Sequence, residues 1–337
     1  MFPSSFRLPS DLIPDLPRAA RLFLAAFGAL ALAHALGLAN PYWAAMPVWV
    51  VVQPWREDIL IRGALRLLGT AIGAAIGLGA LVVTGDPVIH VAVLGLTAFA
   101  GVALAYWIGT IYSYGAMMAA MTCAVVMLPA LAVHADPLEL AVDRVWCTLI
   151  GVCAVTLTSL AFTPARETPH PFRFEHHTLS MALRRGALAG LCAAAGITVL
   201  LATGSIIAMA GALSLCVFSA IMGSMADPAP VLRNLLPGAA LGVLAGIAWR
   251  FGGDAMGLGS GGMLLLAGLF IGIGALIRAT PRIAPLGLDG NMIFLLSAEV
   301  GTTGHGHAAH LAGAAALLAG AGFMVLVYRL LRARGLV

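Results

Sequence analysis

Long apolar runs alternate with short polar breaks along the whole chain. A helix needs about 20 apolar residues to cross a bilayer, and twelve stretches approach that length. In the first half they are 18–38, 41–54, 66–84, 88–107, 111–133 and 144–163. In the second they are 183–202, 204–225, 234–251, 259–279, 288–303 and 308–332. The second and eleventh are short. The pattern predicts an all-α polytopic membrane protein of about 12 transmembrane helices. Pro164 gives the sixth helix a sharp stop. The polar stretch that follows holds Arg166, Glu167, Arg173, Glu175, His176 and His177 and divides the chain near its middle. Two six-helix units are therefore expected, over 1–163 and 181–337, joined by a cytoplasmic linker over 164–180.

The halves look like repeats. Arg18 and Arg185 open the first and seventh helices, 167 residues apart, and Arg66 and Arg233 open the third and ninth at the same offset. Gly69, Gly73 and Gly77 recur as Gly238, Gly242 and Gly246, offset by 169. Six helices bring the chain back to its starting side, so the repeats would be parallel and related by an axis along the membrane normal. Small residues four apart let helices approach closely in lipid. Beyond packing, these two helices are expected to meet near the repeat interface.

Composition agrees with a membrane protein. Hydrophobic residues make up 61% of the chain and charged ones 9%, against about 25% charged in a soluble domain. Mean hydropathy is +1.01. All 18 basic residues are arginine. They lie between apolar segments rather than in one patch, so the net charge of +4 does not point to nucleic acid. With the N-terminus inside, every arginine but Arg144 and Arg250 falls on the cytoplasmic side, which puts both termini there. The first apolar run is expected to be a retained helix, not a signal peptide. The five cysteines sit inside apolar runs without CxxC spacing, as core residues do.

Candidate chemistry collects at the polar breaks. Asn40, Tyr42 and Trp43 stand at the outer start of the second helix, as interface anchors or as a stacking platform for a solute. Gln53 ends that helix beside Pro54, as a cap or a solute contact. Arg62 and Arg66, four apart on one helical face, form a solvated loop or a basic gate for anions. Asp143 and Arg144 open the sixth helix, as an ion pair (with Asp143 or Glu139) or as anion ligands; Arg233 is the second-half partner of Arg66. Glu299, late in the eleventh helix, is the best candidate for a carboxyl with a raised pKa. With His305, His307 and His310 it offers a proton relay, an exposed loop or, less fittingly, a metal site, because HGHAAH has no other carboxylate nearby. His34 and His90 read as packing histidines, and Tyr112 and Tyr114 as interface anchors. A phosphate loop of the GxxxxGK[ST] type is impossible without lysine, and neither G-x-S-x-G nor H-E-x-x-H occurs. No cofactor, metal or enzymatic activity is expected.

NPYW, then VVVQP, an arginine-bearing link and RLLGTAIGAAIG closely resemble the signature of the fusaric acid resistance-like membrane proteins, also called the aromatic acid exporter family. DRVWCTLIGV at the sixth helix looks like that family's arginine-then-glycine pattern. The likeness is strong over 18–165 and weaker over 183–332. The family is also similar to plant aluminium-activated malate transporters, which pair two six-helix subunits around an anion path. The resemblance implies proton-coupled export of aromatic carboxylates or similar organic anions across a bacterial inner membrane, with a passive organic-anion channel as the alternative. Asn40, Tyr42, Trp43, Gln53, Arg62, Arg66, Arg144 and Arg233 would contact the solute. Glu299, His305, His310 and Asp143 would serve the proton. Many relatives carry a large cytosolic domain, whereas the linker here is only 164–180, so coupling to a periplasmic adaptor is not carried over. The oligomeric state is left open.

Overall fold

The computed structural model describes residues 10–160, 162–167, 173–302 and 304–336, and every regular element among them is helical. The first half contains α1 (Leu16–Ala35), α2 (Tyr42–Val51), α3 (Arg56–Val83), α4 (Pro87–Ile108), α5 (Tyr114–Val133) and α6 (Pro137–Leu160). The second contains α7 (Leu179–Thr203), α8 (Ile206–Ser224), α9 (Ala229–Ala255), α10 (Ser260–Ala279), α11 (Ala284–Ala298) and α12 (His307–Ala333). Ten of these helices are long and apolar enough to cross a membrane. α2 and α11, at 10 and 15 residues, are the short ones. The chain is a multi-pass membrane protein. Of the linker expected over 164–180, residues 168–172 lie outside the described residues.

Local chemistry sets several boundaries. Asp15 caps α1 by accepting from the Arg18 amide, Asp86 caps α4 and Ser205 caps α8, each satisfying an amide that has no partner inside its helix. α4 stops at Gly109, whose φ of 67° a side chain would resist. Two boundaries differ from expectation. The charged segment after Pro54 is not a link: Trp55 is extended, and Arg56 already opens α3. Glu57 and Asp58 in its first turn favour that start, since acidic groups suit a helix N-terminus. α6 begins at Pro137, so Asp143 and Arg144 lie well inside the helix, not at its opening. An apolarity scan starts a helix late when its first turns are polar.

α2 is buried on nearly every side, as a helix apolar all round must be. It runs inside the protein, with Pro47 and the Ala44 carbonyl so close to Gly151 of α6 that a side chain there would collide. α3 packs on α5 through its glycines. A methyl at Gly69 would strike the Gly115 carbonyl, and one at Gly73 the Ala119 carbonyl. In the second half, Gly242 meets Gly290 and Ile293 of α11, and Gly246 meets Ser297. The glycine notches therefore serve α3–α5 and α9–α11 contacts within each half, and α3 and α9 do not form a packed pair.

Packing partners recur six helices on. α1–α2, α2–α6, α3–α5, α3–α6 and α4–α5 correspond to α7–α8, α8–α12, α9–α11, α9–α12 and α10–α11. Between the halves, α1 lies on α10 as α4 lies on α7, and α2 lies on α11 as α5 lies on α8. The glycine register agrees with the spacing-based one. Gly69 meets Met118 as Gly238 meets Asp289, Gly73 meets Ala119 and Thr122 as Gly242 meets Gly290 and Ile293, and Gly77 meets Val126 as Gly246 meets Ser297. Arg66, three residues before Gly69, thus corresponds to Leu235 rather than to Arg233.

Candidate functional site

A cavity of about 360 Å³ opens at the end of the bundle remote from the chain termini, a volume typical of small-molecule sites, which hold roughly 300–1,000 Å³. Its walls come from the α1–α2 connection, α5 and α6 on one side, and from α8, the α11–α12 connection and α12 on the other. Both halves build it. Nine of the residues singled out from the sequence line it: Asn40, Tyr42, Trp43, Glu139, Asp143, Arg144, Glu299, His305 and His310. Apolar side chains of α5 and α8, Val125, Pro129, Met209 and Leu213, complete the walls. Sequence reasoning missed these four, because an apolar residue facing a cavity reads the same as one facing lipid.

The first-half wall is tightly built. The Asn40 amide donates to Asp143 Oδ1 at 3.3 Å, and the Cys147 thiol donates to the Asn40 carbonyl at 3.5 Å. Tyr42 Oη donates to Asn40 Oδ1 at 3.5 Å, and the Tyr42 and Trp43 rings stand 5.0 Å apart. Asp143 is thus committed to the α1–α2 connection. Arg144 is 4% exposed and lays its guanidinium over the Trp43 ring, Cζ 3.5 Å from the centroid. Its Nε and Nη1 are buried and bond to nothing, and it joins no ion pair among the described residues. The ion pair with Asp143 or Glu139 considered from the sequence is not formed. Burying a charge without a partner costs several kcal/mol, and the ring face offsets about 2 kcal/mol of that at most. The site is left with buried N–H donors that have no partner among the described residues.

The second-half wall carries the titratable groups. Glu299 caps the C-terminus of α11 in a left-handed conformation, φ 49°, beside the negative end of the helix dipole, which disfavours a charged carboxylate. His305 Nε2 stands 3.6 Å from Glu299 Oε1. Burial pushes the Glu299 carboxyl above its usual range, and His305 and Arg250 pull it partly back. His310 Nε2 is buried without a partner. Arg250, 8% exposed, donates to the Ala298 carbonyl at 2.9 Å and lies against Trp249, fixing the end of α11. His307 turns away to Asp254 at 2.6 Å and stacks on Phe251. Among the described residues no group of three or more His, Cys, Asp or Glu side chains could hold a metal ion.

The other candidates lie elsewhere. Arg66 is buried and donates from Nη1 to Tyr114 Oη, while Arg62 stacks on the same ring at 4.5 Å. Both belong to the α3–α5 seam and line neither this cavity nor the one beside Gln53. The segment read from their spacing as a loop or gate is helix, with Arg66 buried and Arg62 half-buried. Arg233 is exposed on α9, near Arg329 and Arg332 at the terminal end. Gln53 lies at that end too, in a separate cavity.

Comparison with curated proteins and with solved structures gave no match. A family model, the fusaric acid resistance protein family, matches residues 18–173. The matched part supplies α1 to α6, and with them the Asn40–Tyr42–Trp43–Arg144 wall. Over residues 18–173, a little under half of its length, the chain is thus similar to the fusaric acid resistance protein family.

Proposed function

We propose that the protein is a transporter that exports aromatic carboxylates or similar organic anions across a bacterial inner membrane, with proton coupling and with both termini cytoplasmic. The observation that carries this reading is the buried, unpaired Arg144 guanidinium stacked on Trp43 in a cavity built by both halves. A carboxylate would take the free N–H groups, and the apolar walls and Tyr42 would receive its ring. The opposite wall holds Glu299, His305 and His310, groups able to exchange a proton. Anion and proton ligands thus face one space, as coupling requires. The two-half arrangement, with matching packing partners, suits movement of one half against the other around that space.

Proteoliposomes test it. An imposed pH gradient is expected to drive saturable movement of fusaric acid or benzoate, and Arg144→Gln should lower that flux roughly ten- to a hundredfold, the worth of a charged hydrogen bond. Steady voltage-driven current without saturation would show a passive channel instead. No flux of any aromatic acid would end the reading.

A further inference from the structure

A second cavity, of about 460 Å³, lies at the terminal end between α1, α2, α6 and α10. Three guanidinium groups converge on it. Arg18 and Arg21 are three apart on α1 and so share a face, and Arg278 comes from the last turn of α10. An arginine-rich cytoplasmic end is ordinary, but these three are not ordinary in their partners. Among the described residues the Arg18 side chain has no hydrogen-bond partner, Arg21 faces the Phe162 ring at 5.4 Å, and Arg278 gives one long bond to the Ala284 carbonyl at 3.3 Å. Among the described residues no carboxylate stands within 4.0 Å of any of them. Asp15 is taken up by the Arg18 amide, and Asp289 acts on Arg278 only from a distance. Below the arginines the floor is apolar, made by Leu22, Val48 and Val155, and Gln53 stands at its side. Cationic rim and greasy floor together fit a molecule with a negative head and an apolar body.

We propose that this cavity is a second binding site, on the face bearing the termini, for an organic carboxylate whose head sits among Arg18, Arg21 and Arg278 and whose body lies on Leu22, Val48 and Val155. Its role as the loading site of an exporter rests on the transport reading above; its occupancy does not. α2 separates the two cavities, with Trp43 lining one and Val48 the other, and the Pro47–Gly151 contact closes the space between.

An anionic lipid headgroup has similar chemistry, so the test distinguishes the two. Thr163 lines the cavity. A Thr163→Cys variant, with the exposed Cys153 changed to Ser, is labelled in vesicles by an impermeant maleimide on the terminal face. Fusaric acid is expected to slow labelling roughly tenfold at saturation. The protection should vanish in R21Q/R278Q. Unchanged labelling overturns the proposal, and so does slowing by phosphatidylglycerol or inorganic phosphate but not by fusaric acid. Equilibrium dialysis of radiolabelled fusaric acid against R144Q protein in nanodiscs needs no cysteine. Binding that persists there and is lost on adding R21Q/R278Q supports the site, and absence of binding refutes it. Protection without flux in proteoliposomes would leave this site standing and remove the exporter reading.

Discussion

Buried arginines in this protein do opposite things, and their partners tell them apart. Arg185 is 2% exposed, donates to the Met225 and Ala226 carbonyls just past α8, and lies over the Tyr106 ring at 4.2 Å. Its charge closes a helix end. Arg144 is as deeply buried and closes nothing. Arg185→Met is therefore expected to lower stability by about 2–3 kcal/mol, the value of charged hydrogen bonds lost. Arg144→Met should keep or raise stability, since removing an unpaired buried charge relieves its desolvation, while flux falls. Thermal unfolding in detergent and flux per folded molecule separate the two. Glu299 adds a pH dependence with a definite sign. Its carboxyl titrates above the ordinary range because it is buried. The folded state therefore holds this proton more tightly than the unfolded chain. The contribution is fully present below the ordinary Glu range and is lost as pH rises through the raised value. Glu299→Gln should flatten the stability–pH curve in that window and abolish the response of flux to an imposed pH gradient. An unaltered curve would show that the carboxyl titrates normally.

At the scale of elements, glycine notches hold the α3–α5 and α9–α11 pairs together. Gly242→Ala would drive a methyl into the Gly290 carbonyl and toward Ile293 Cβ at 2.7 Å, a backbone contact that cannot relax cheaply. It should cost about 1–3 kcal/mol, as overpacking does. Gly79, on the same helix as the first notch, faces open space. Gly79→Ala should be neutral or stabilise by about 0.5–1 kcal/mol through helix propensity alone. Melting temperatures of the two variants check the contrast. The same glycines show how far the sequence could be read. A small residue every four positions announces close helix packing, and that expectation holds. It does not say which helix is met, because a small-residue face fits any close partner. The offset of 167 paired Arg66 with Arg233, while the glycine contacts, at an offset of 169, pair it with Leu235. Helix boundaries failed for a related reason. Apolarity marks the part of a helix in lipid, and the first turns of α3 and α6 carry Arg56, Glu57 and Glu139.

Over the whole molecule, the cavity residues were legible where polar groups interrupt apolar runs, since such groups in lipid need a reason. The convergence of Arg144 with Glu299 was not legible, because it depends on α2 meeting α11 and α5 meeting α8 across the halves. The shared packing pattern also conceals a difference between the halves. The interior of the first, between α3, α5 and α6, holds Arg66, Thr70, Thr122 and Arg144, all buried, each with a side-chain donor that bonds to nothing. At the places matching Arg66, Thr70 and Thr122 the second half has Leu235, Ala239 and Ile293, packed in an apolar cluster with Val243 and Ala321. At these positions the helix contact is made with polar groups in the first half and without them in the second, so the contact itself does not demand them. Buried unsatisfied donors cost about 1–3 kcal/mol each, which is reason to test these first-half donors for a part in the proposed anion path. Thr70, one residue after Gly69, and Ala239, one after Gly238, make a controlled pair. Thr70→Val should raise stability or leave it unchanged and lower flux severalfold. Ala239→Thr should lower stability by about 1–3 kcal/mol and leave flux per folded molecule as it was. Equal effects of the two changes on flux would show that both halves conduct, and no effect of either would move the path out of the bundle interiors.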